Sequence, residues 1–143
     1  MLTYFLFHIL GTEFKNIACG VLGILLCLEI QRGKEAMKTK EFNASFGATA
    51  GCTMRLAQLA APVKEGEEKP LVEGNEWFGY VTCAVELAQR HYDCVLQIKT
   101  NSSLFPKAYI ETALENAPGG CKIVLTASHR GIPLVAIGYR YST

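Results

Sequence analysis

The chain has 143 residues, the size of one domain, and half of them are apolar, which argues for a buried core and against wholesale disorder. Its 14 basic and 13 acidic residues give a net charge of +1, so charge alone does not indicate nucleic-acid binding. Asp93 is the only aspartate in the sequence. This composition is unfavourable for magnesium chemistry, because enzymes that bind magnesium between carboxylates usually rely on aspartate for short, well-placed oxygen ligands.

The apolar N-terminus predicts neither a signal peptide nor a membrane span. Residues 1–10 are nearly all apolar but lack a basic region, and residues 17–30 form a second apolar run after a polar interruption. Both runs are shorter than the ~20 residues that cross a bilayer. We therefore expect no membrane partner, and we set residues 1–15 apart as an apolar N-terminal segment of uncertain origin.

The first half of the remaining chain predicts strands followed by a helix. Residues 17–30 indicate two strands around Gly20 and Gly23, and the continuous apolar run of residues 24–30 is typical of a covered strand. The charged residues 31–46 indicate a loop with an edge strand. Residues 49–61 have helical apolar spacing, and Pro62 ends that helix.

The second half alternates strands and helices and then ends in a hairpin. Residues 70–73 and 94–98 are predicted as strands, and residues 77–91, capped by Asn75, and 104–116 are predicted as helices. Residues 122–127 and 132–141 predict a hairpin joined at residues 129–131. The order of elements predicts an α/β fold, a mixed sheet with flanking helices. Because the chain ends in predicted strand, we expect a truncated domain.

The cysteines indicate packing rather than cross-linking. No two of the six are spaced as Cys-x-x-Cys, and most lie in apolar runs, so we expect buried, reduced thiols. They are Cys19, Cys27, Cys52, Cys83, Cys94 and Cys121.

Four segments, in order along the chain, resemble the catalytic core of piggyBac-like transposases. They are residues 23–30 (GILLCLEI) with 33–35, residues 71–81 (LVEGNEWFGYV), residues 97–101 with 105–107, and residues 131–141 (GIPLVAIGYRY). The resemblance covers residues 16–143. It implies a ribonuclease-H-like fold, here incomplete, a nuclear location, and an ancestral role in DNA transposition. In that family three aspartates hold two Mg²⁺ ions for strand cleavage and transfer.

The same resemblance implies that the cutting residues have been lost. The first acidic position falls near Cys19, the second falls at Asn75, and the third lies beyond Thr143. Cysteine is a soft ligand ill suited to magnesium, and asparagine carries no charge. Glu73 and Glu76 flank Asn75, but on adjacent positions we expect them to point elsewhere. We therefore predict no catalytic residue and no cofactor in this chain.

Some contacts with DNA or with another chain are compatible with the sequence. Lys99, Lys107 and Arg130 are candidate phosphate contacts, although isolated basic residues on loops are commonly only solvated. The Trp77-Phe78 pair fits a core position better than a base-stacking platform. The apolar residues 132–141 predict self-association through an exposed strand edge. The alternatives are a small α/β interaction module with no nucleic-acid role and a nuclease that uses glutamates.

Overall fold

The computed structural model describes residues 1–9, 12–98, 102 and 104–141. The chain divides into two compact units, Met1–Lys99 and Thr100–Thr143. The first unit holds a five-stranded mixed sheet with flanking helices, which confirms the predicted α/β class. The second unit holds one helix and a two-stranded sheet.

The first three strands form an antiparallel meander. Strand β1 (Leu2–Ile9) pairs with β2 (Thr12–Cys19), and β2 pairs with β3 (Ile24–Gln31). The turn between β2 and β3 uses Gly23 at a φ of +66°, a backbone conformation that favours glycine. The N-terminal segment that the sequence set apart therefore supplies the middle strand of this sheet and the beginning of its neighbour.

Two helices follow β3, so the loop and edge strand predicted over residues 31–46 are wrong. Helix α1 (Lys34–Lys38) buries Met37, and helix α2 (Asn43–Ala60) starts six residues before the predicted helix at residue 49. The Asn43 side chain donates a 2.6 Å hydrogen bond to the Met37 carbonyl. Gly47, at a φ of +81°, interrupts the helical geometry of α2. Helix α1 is difficult to predict from the sequence, because Met37 is its only buried residue and its other residues are mostly charged.

The remaining strands of the sheet run parallel to β1. Strand β4 (Leu71–Gly74) pairs with β1, and β5 (Asp93–Leu96) pairs with β4. Helix α3 (Val81–Gln89) connects β4 to β5. The strand order is β3-β2-β1-β4-β5, which places β1 at the centre and leaves β3 and β5 at the edges.

The core of this unit lies between the sheet and the inner faces of α2 and α3. Tyr92 is buried there, and its hydroxyl donates a 2.9 Å hydrogen bond to the Ala61 carbonyl. This bond satisfies a polar group that the core would otherwise leave unpaired. The core cluster comprises Leu2, Ile17, Cys52, Met54, Leu56, Ala57, Val72, Phe78, Leu87 and Tyr92.

The second unit contains the predicted hairpin. Helix α4 (Lys107–Leu114) precedes β6 (Lys122–His129) and β7 (Ile132–Tyr139), which pair antiparallel in full register. The two-residue turn has positive φ at both Arg130 and Gly131, as the twist of a tight hairpin requires. The side chain of Ile110 in α4 packs where a side chain at Gly138 would lie, so glycine allows the helix to approach the sheet.

Candidate functional site

The two positions that the transposase resemblance assigns to acids lie apart in the sheet. Cys19 ends the second strand, not the first. It pairs with Leu2 of β1, and on the other side of β1 Leu2 pairs with Val72 of β4. Cys19 and Val72 therefore flank β1, about 10 Å apart at normal strand spacing. Asn75 lies three residues beyond Val72, roughly 10 Å further along the strand direction. Side chains this far apart do not share a pair of metal ions, which lie only about 4 Å from one another.

Asn75 is part of a turn and does not cap the following helix. Its side-chain oxygen accepts a 3.1 Å hydrogen bond from the Trp77 backbone N–H. Its backbone carbonyl accepts a 3.0 Å hydrogen bond from the Phe78 backbone N–H. Helix α3 begins only at Val81, after Tyr80, and has no side-chain cap. The predicted start at residue 77 is therefore wrong, because the Asn75 side chain favours a local turn over a helix.

The carboxylates near Asn75 do not assemble into a metal site. Glu73 lies within β4 and is partly buried, whereas Glu76 lies in the following turn and is exposed. Asp93 begins β5 and pairs with Leu71, so it lies at the opposite end of these strands from Asn75. Within the described part of the chain, no group of three His, Cys, Asp or Glu residues is placed to hold a metal ion.

A lysine occupies the interior near the end of β4. Lys15, in β2, is fully buried, and its ammonium lies 3.4 Å from the centre of the Trp77 ring. It also forms an ion pair with Glu13, whose side chain is 35% exposed. The ring face and the carboxylate both offset the cost of burying this cation. Sequence reasoning missed the cluster, because Lys15 stands next to Asn16 in a polar interruption between two apolar runs.

The strand register places Lys15 at the same height along the sheet as the residues that directly follow β4. Lys15 pairs with Leu6, four residues after Leu2, and Leu2 pairs with Val72. Trp77, on the turn that leaves β4, reaches back over the lysine. The carboxyl ends of parallel strands are where open α/β sheets place ligands. Here that region holds a fixed positive charge and an indole ring.

A second charged cluster joins β3 to α2. The Arg55 guanidinium donates to both carboxylate oxygens of Glu29, at 2.7 and 2.9 Å, and the Lys40 ammonium lies 3.2 Å from the same carboxylate. Burial alone raises the pKa of Glu29, but the hydrogen bonds and charge of Arg55, with help from Lys40 and Gln31, outweigh it and lower the pKa to about 2. This bidentate, mostly buried pairing is a structural clamp between strand and helix.

The thiols have environments that suit packing. All six cysteines are free, and Cys52 and Cys83 are buried. Burial raises the pKa of both thiols to about 12. Cys19 differs, because hydrogen bonds from the backbone of Leu22 and Val21 lower the pKa of its thiol.

Two of the three candidate phosphate contacts lie in the described part of the second unit. Lys107 begins α4 and forms a 3.2 Å ion pair with Glu111, and Arg130 lies in the turn of the hairpin. Lys99 lies outside the described residues. The Trp77-Phe78 pair packs edge to face, with Phe78 fully buried, as expected of a core position.

Comparisons with protein-family models, with curated proteins and with solved structures found no match to this chain. Of the helices in the described residues, none has the length and apolar character needed to cross a membrane.

Proposed function

We propose that the chain is a transposase-derived domain of the piggyBac-like family with a ribonuclease-H-like fold and without DNA-cutting activity. The observation that carries the proposal is the layout of the sheet. Three antiparallel strands come first, and two helices, a parallel strand, a third helix and another parallel strand follow. This is the layout that the sequence resemblance implies, and it leaves β4 directly before the turn that contains Asn75.

The charges near the end of β4 support the loss of cutting. A site for two divalent cations needs several converging carboxylates. The turn after β4 offers the neutral Asn75, and the Lys15 ammonium lies buried under the neighbouring Trp77. The arrangement is therefore unfavourable for metal because the ligands that the resemblance implies are missing.

A plasmid-nicking assay over a series of Mg²⁺ and Mn²⁺ concentrations tests this proposal. We expect the supercoiled substrate to remain intact at every metal concentration. Metal-dependent nicking that disappears in the Glu73→Gln variant would overturn the proposed loss of activity. The Glu76→Gln variant, at the exposed position directly after Asn75, provides the matched control.

Residual DNA binding is the second part of the proposal. We expect weak binding that declines as salt increases, because any contacts are to phosphates. The double variant Lys107→Ala and Arg130→Ala should bind more weakly and with a shallower salt dependence. Lys64→Ala, on an exposed loop of the other unit, is the control and should bind like the parent chain. Undetectable DNA binding would favour a different function.

That second candidate function is a protein-interaction module, and a specific observation favours it. The side chains of β3 that point away from α2 are apolar and exposed, among them Leu28 at 49% and Ile30 at 42%. Exposed apolar surface of this kind is typical of an interaction site. The interaction module and the transposase-derived domain differ in their response to DNA, so the salt-dependent binding measurement separates them.

A further inference from the structure

Strand β3 carries polar residues on the face that contacts α2 and exposed apolar residues on the other face. Its inward positions carry Cys27, Glu29 and Gln31, which contact residues of α2. Its outward positions carry Leu28 and Ile30, which are 49% and 42% exposed. An antiparallel sheet with one solvated face normally shows the opposite pattern. The exposed apolar residues continue into the start of β3 and the turn before it, at Val21, Leu22, Ile24, Leu25 and Leu26.

The edge of β3 lacks most of the features that protect edge strands. It is the terminal strand of the five-stranded sheet, and its eight residues include neither proline nor lysine. Its one charge, Glu29, points inward and is already neutralised by Arg55 and Lys40. A bulge near Leu26 is the one irregularity in its pairing with β2. A second strand that pairs along residues 24–31 therefore meets no unpaired charge within β3 itself.

The backbone direction identifies where a new strand would pair. Lys40 donates a 3.4 Å hydrogen bond to the Ile30 carbonyl, so this carbonyl is directed away from β2. Backbone groups alternate in direction along a strand, so the N–H and C=O of Leu28 also point outward. The lysine covers only the carbonyl at Ile30. The backbone groups of Leu28 therefore lie on the open edge of the sheet.

We propose that β3 pairs antiparallel with β3 of a second copy of this chain, about a twofold axis at Leu28. In this register Leu28 faces its own copy, Ile30 faces Leu26, and Glu29 faces Cys27 instead of another glutamate. Such a twofold contact is self-complementary, because the same apolar residues appear on both sides. The net charge of +1 adds almost no repulsion between copies. The inference does not depend on the proposed transposase ancestry.

Sedimentation of the full chain at increasing concentration, with the Leu28→Lys variant beside it, tests the proposal. We expect the parent chain to form dimers and Leu28→Lys to dissociate at least ~tenfold more readily, because two lysines would face each other at the axis. Leu59→Lys, at a 74% exposed position on α2, carries the same substitution away from β3 and should remain dimeric. The far-ultraviolet circular dichroism spectrum should be unchanged in both variants, which shows that each variant still folds.

A cysteine cross-link tests the register. Antiparallel partners lie about 5.5 Å apart at Cα, within the range that a disulfide bridges. Leu28→Cys should therefore form a covalent dimer on mild oxidation, and Leu59→Cys should not. A parent chain that stays monomeric, or a Leu28→Lys variant that stays dimeric, would overturn the proposal. Dissociation by Val135→Lys, on the exposed face of the hairpin, with Leu28→Lys still dimeric would assign the contact to β7 and would also overturn it.

Discussion

The ion pair between Glu29 and Arg55 should make the stability of the fold depend on acid pH. The pKa of Glu29 is lowered from 4.5 to about 2, and a difference of ~2.5 in pKa corresponds to about 3 kcal/mol. Because the pair retains some contact with solvent, we expect about 1–3 kcal/mol to be realised. A lowered carboxyl pKa stabilises the fold above the unfolded value near 4.5, and this contribution is lost as the pH falls towards 2.

The Glu29→Gln variant measures this contribution directly. Urea unfolding at neutral pH should show a free energy of unfolding about 1–3 kcal/mol below that of the parent chain, and the difference should shrink steadily between about pH 5 and pH 2. Glu35→Gln is the control, because Glu35 pairs with Lys38 on the surface at 82% exposure and should change stability by less than about 0.5 kcal/mol. A deficit that is absent at neutral pH, or that does not change with pH, would refute the reasoning.

Three further predictions follow from other parts of the first unit. Gly79→Ala should lower the free energy of unfolding by about 1–3 kcal/mol, because the new methyl group would overlap the Gln97 carbonyl. Gly33→Ala, which places its methyl group in open space, is the control and should have little effect. Equal effects of the two substitutions in urea unfolding would contradict this prediction. Alkylation followed by peptide mapping should label Cys19 before Cys52 and Cys83, whereas equal labelling of the native protein would be inconsistent with their thiol pKa values. Lys15→Met should change the fluorescence emission of Trp77, the sole tryptophan, and lower the free energy of unfolding by about 2 kcal/mol. The substitution Lys64→Met, at an exposed position, should change neither. Unchanged emission in Lys15→Met would exclude the contact between the lysine and the ring.

The sequence predicts β3 and the hairpin well because their signals are local. The run of residues 24–30 becomes β3, and the apolar alternation after residue 121 becomes β6 and β7. The tight turn at Arg130 and Gly131 follows from two neighbouring residues alone. Patterns of this kind need no knowledge of the rest of the fold.

The helices between residues 31 and 60 are harder to predict because their signals depend on tertiary contacts. Helix α1 has only Met37 as a buried anchor, and its charged residues resemble those of a loop. Likewise, the apolar run of β3 predicts burial on both faces, yet its outward face is exposed. Apolar character alone does not reveal whether a surface is covered by the same chain or by another.

The candidate site was also only partly predictable from the sequence, because it depends on contacts between distant segments. The sequence identified Asn75 as a non-acidic position, but it could not reveal that Lys15 and Trp77 meet near the end of β4, since 62 positions of the sequence separate them. It also assigned Asn75 to a helix cap, whereas hydrogen bonds to Trp77 and Phe78 place it in a turn. Contacts between distant segments depend on strand register, which a single sequence does not specify.

Metal-dependent nicking of supercoiled plasmid tests the central claim most directly. If the acidic positions that the resemblance implies are lost and no group of carboxylates in the described residues is placed to hold a metal ion, the parent chain should leave the plasmid intact at every Mg²⁺ and Mn²⁺ concentration. Nicking that requires metal and is abolished by Glu73→Gln, but not by Glu76→Gln, would show that a carboxylate at this strand end supports catalysis. That result would contradict the account.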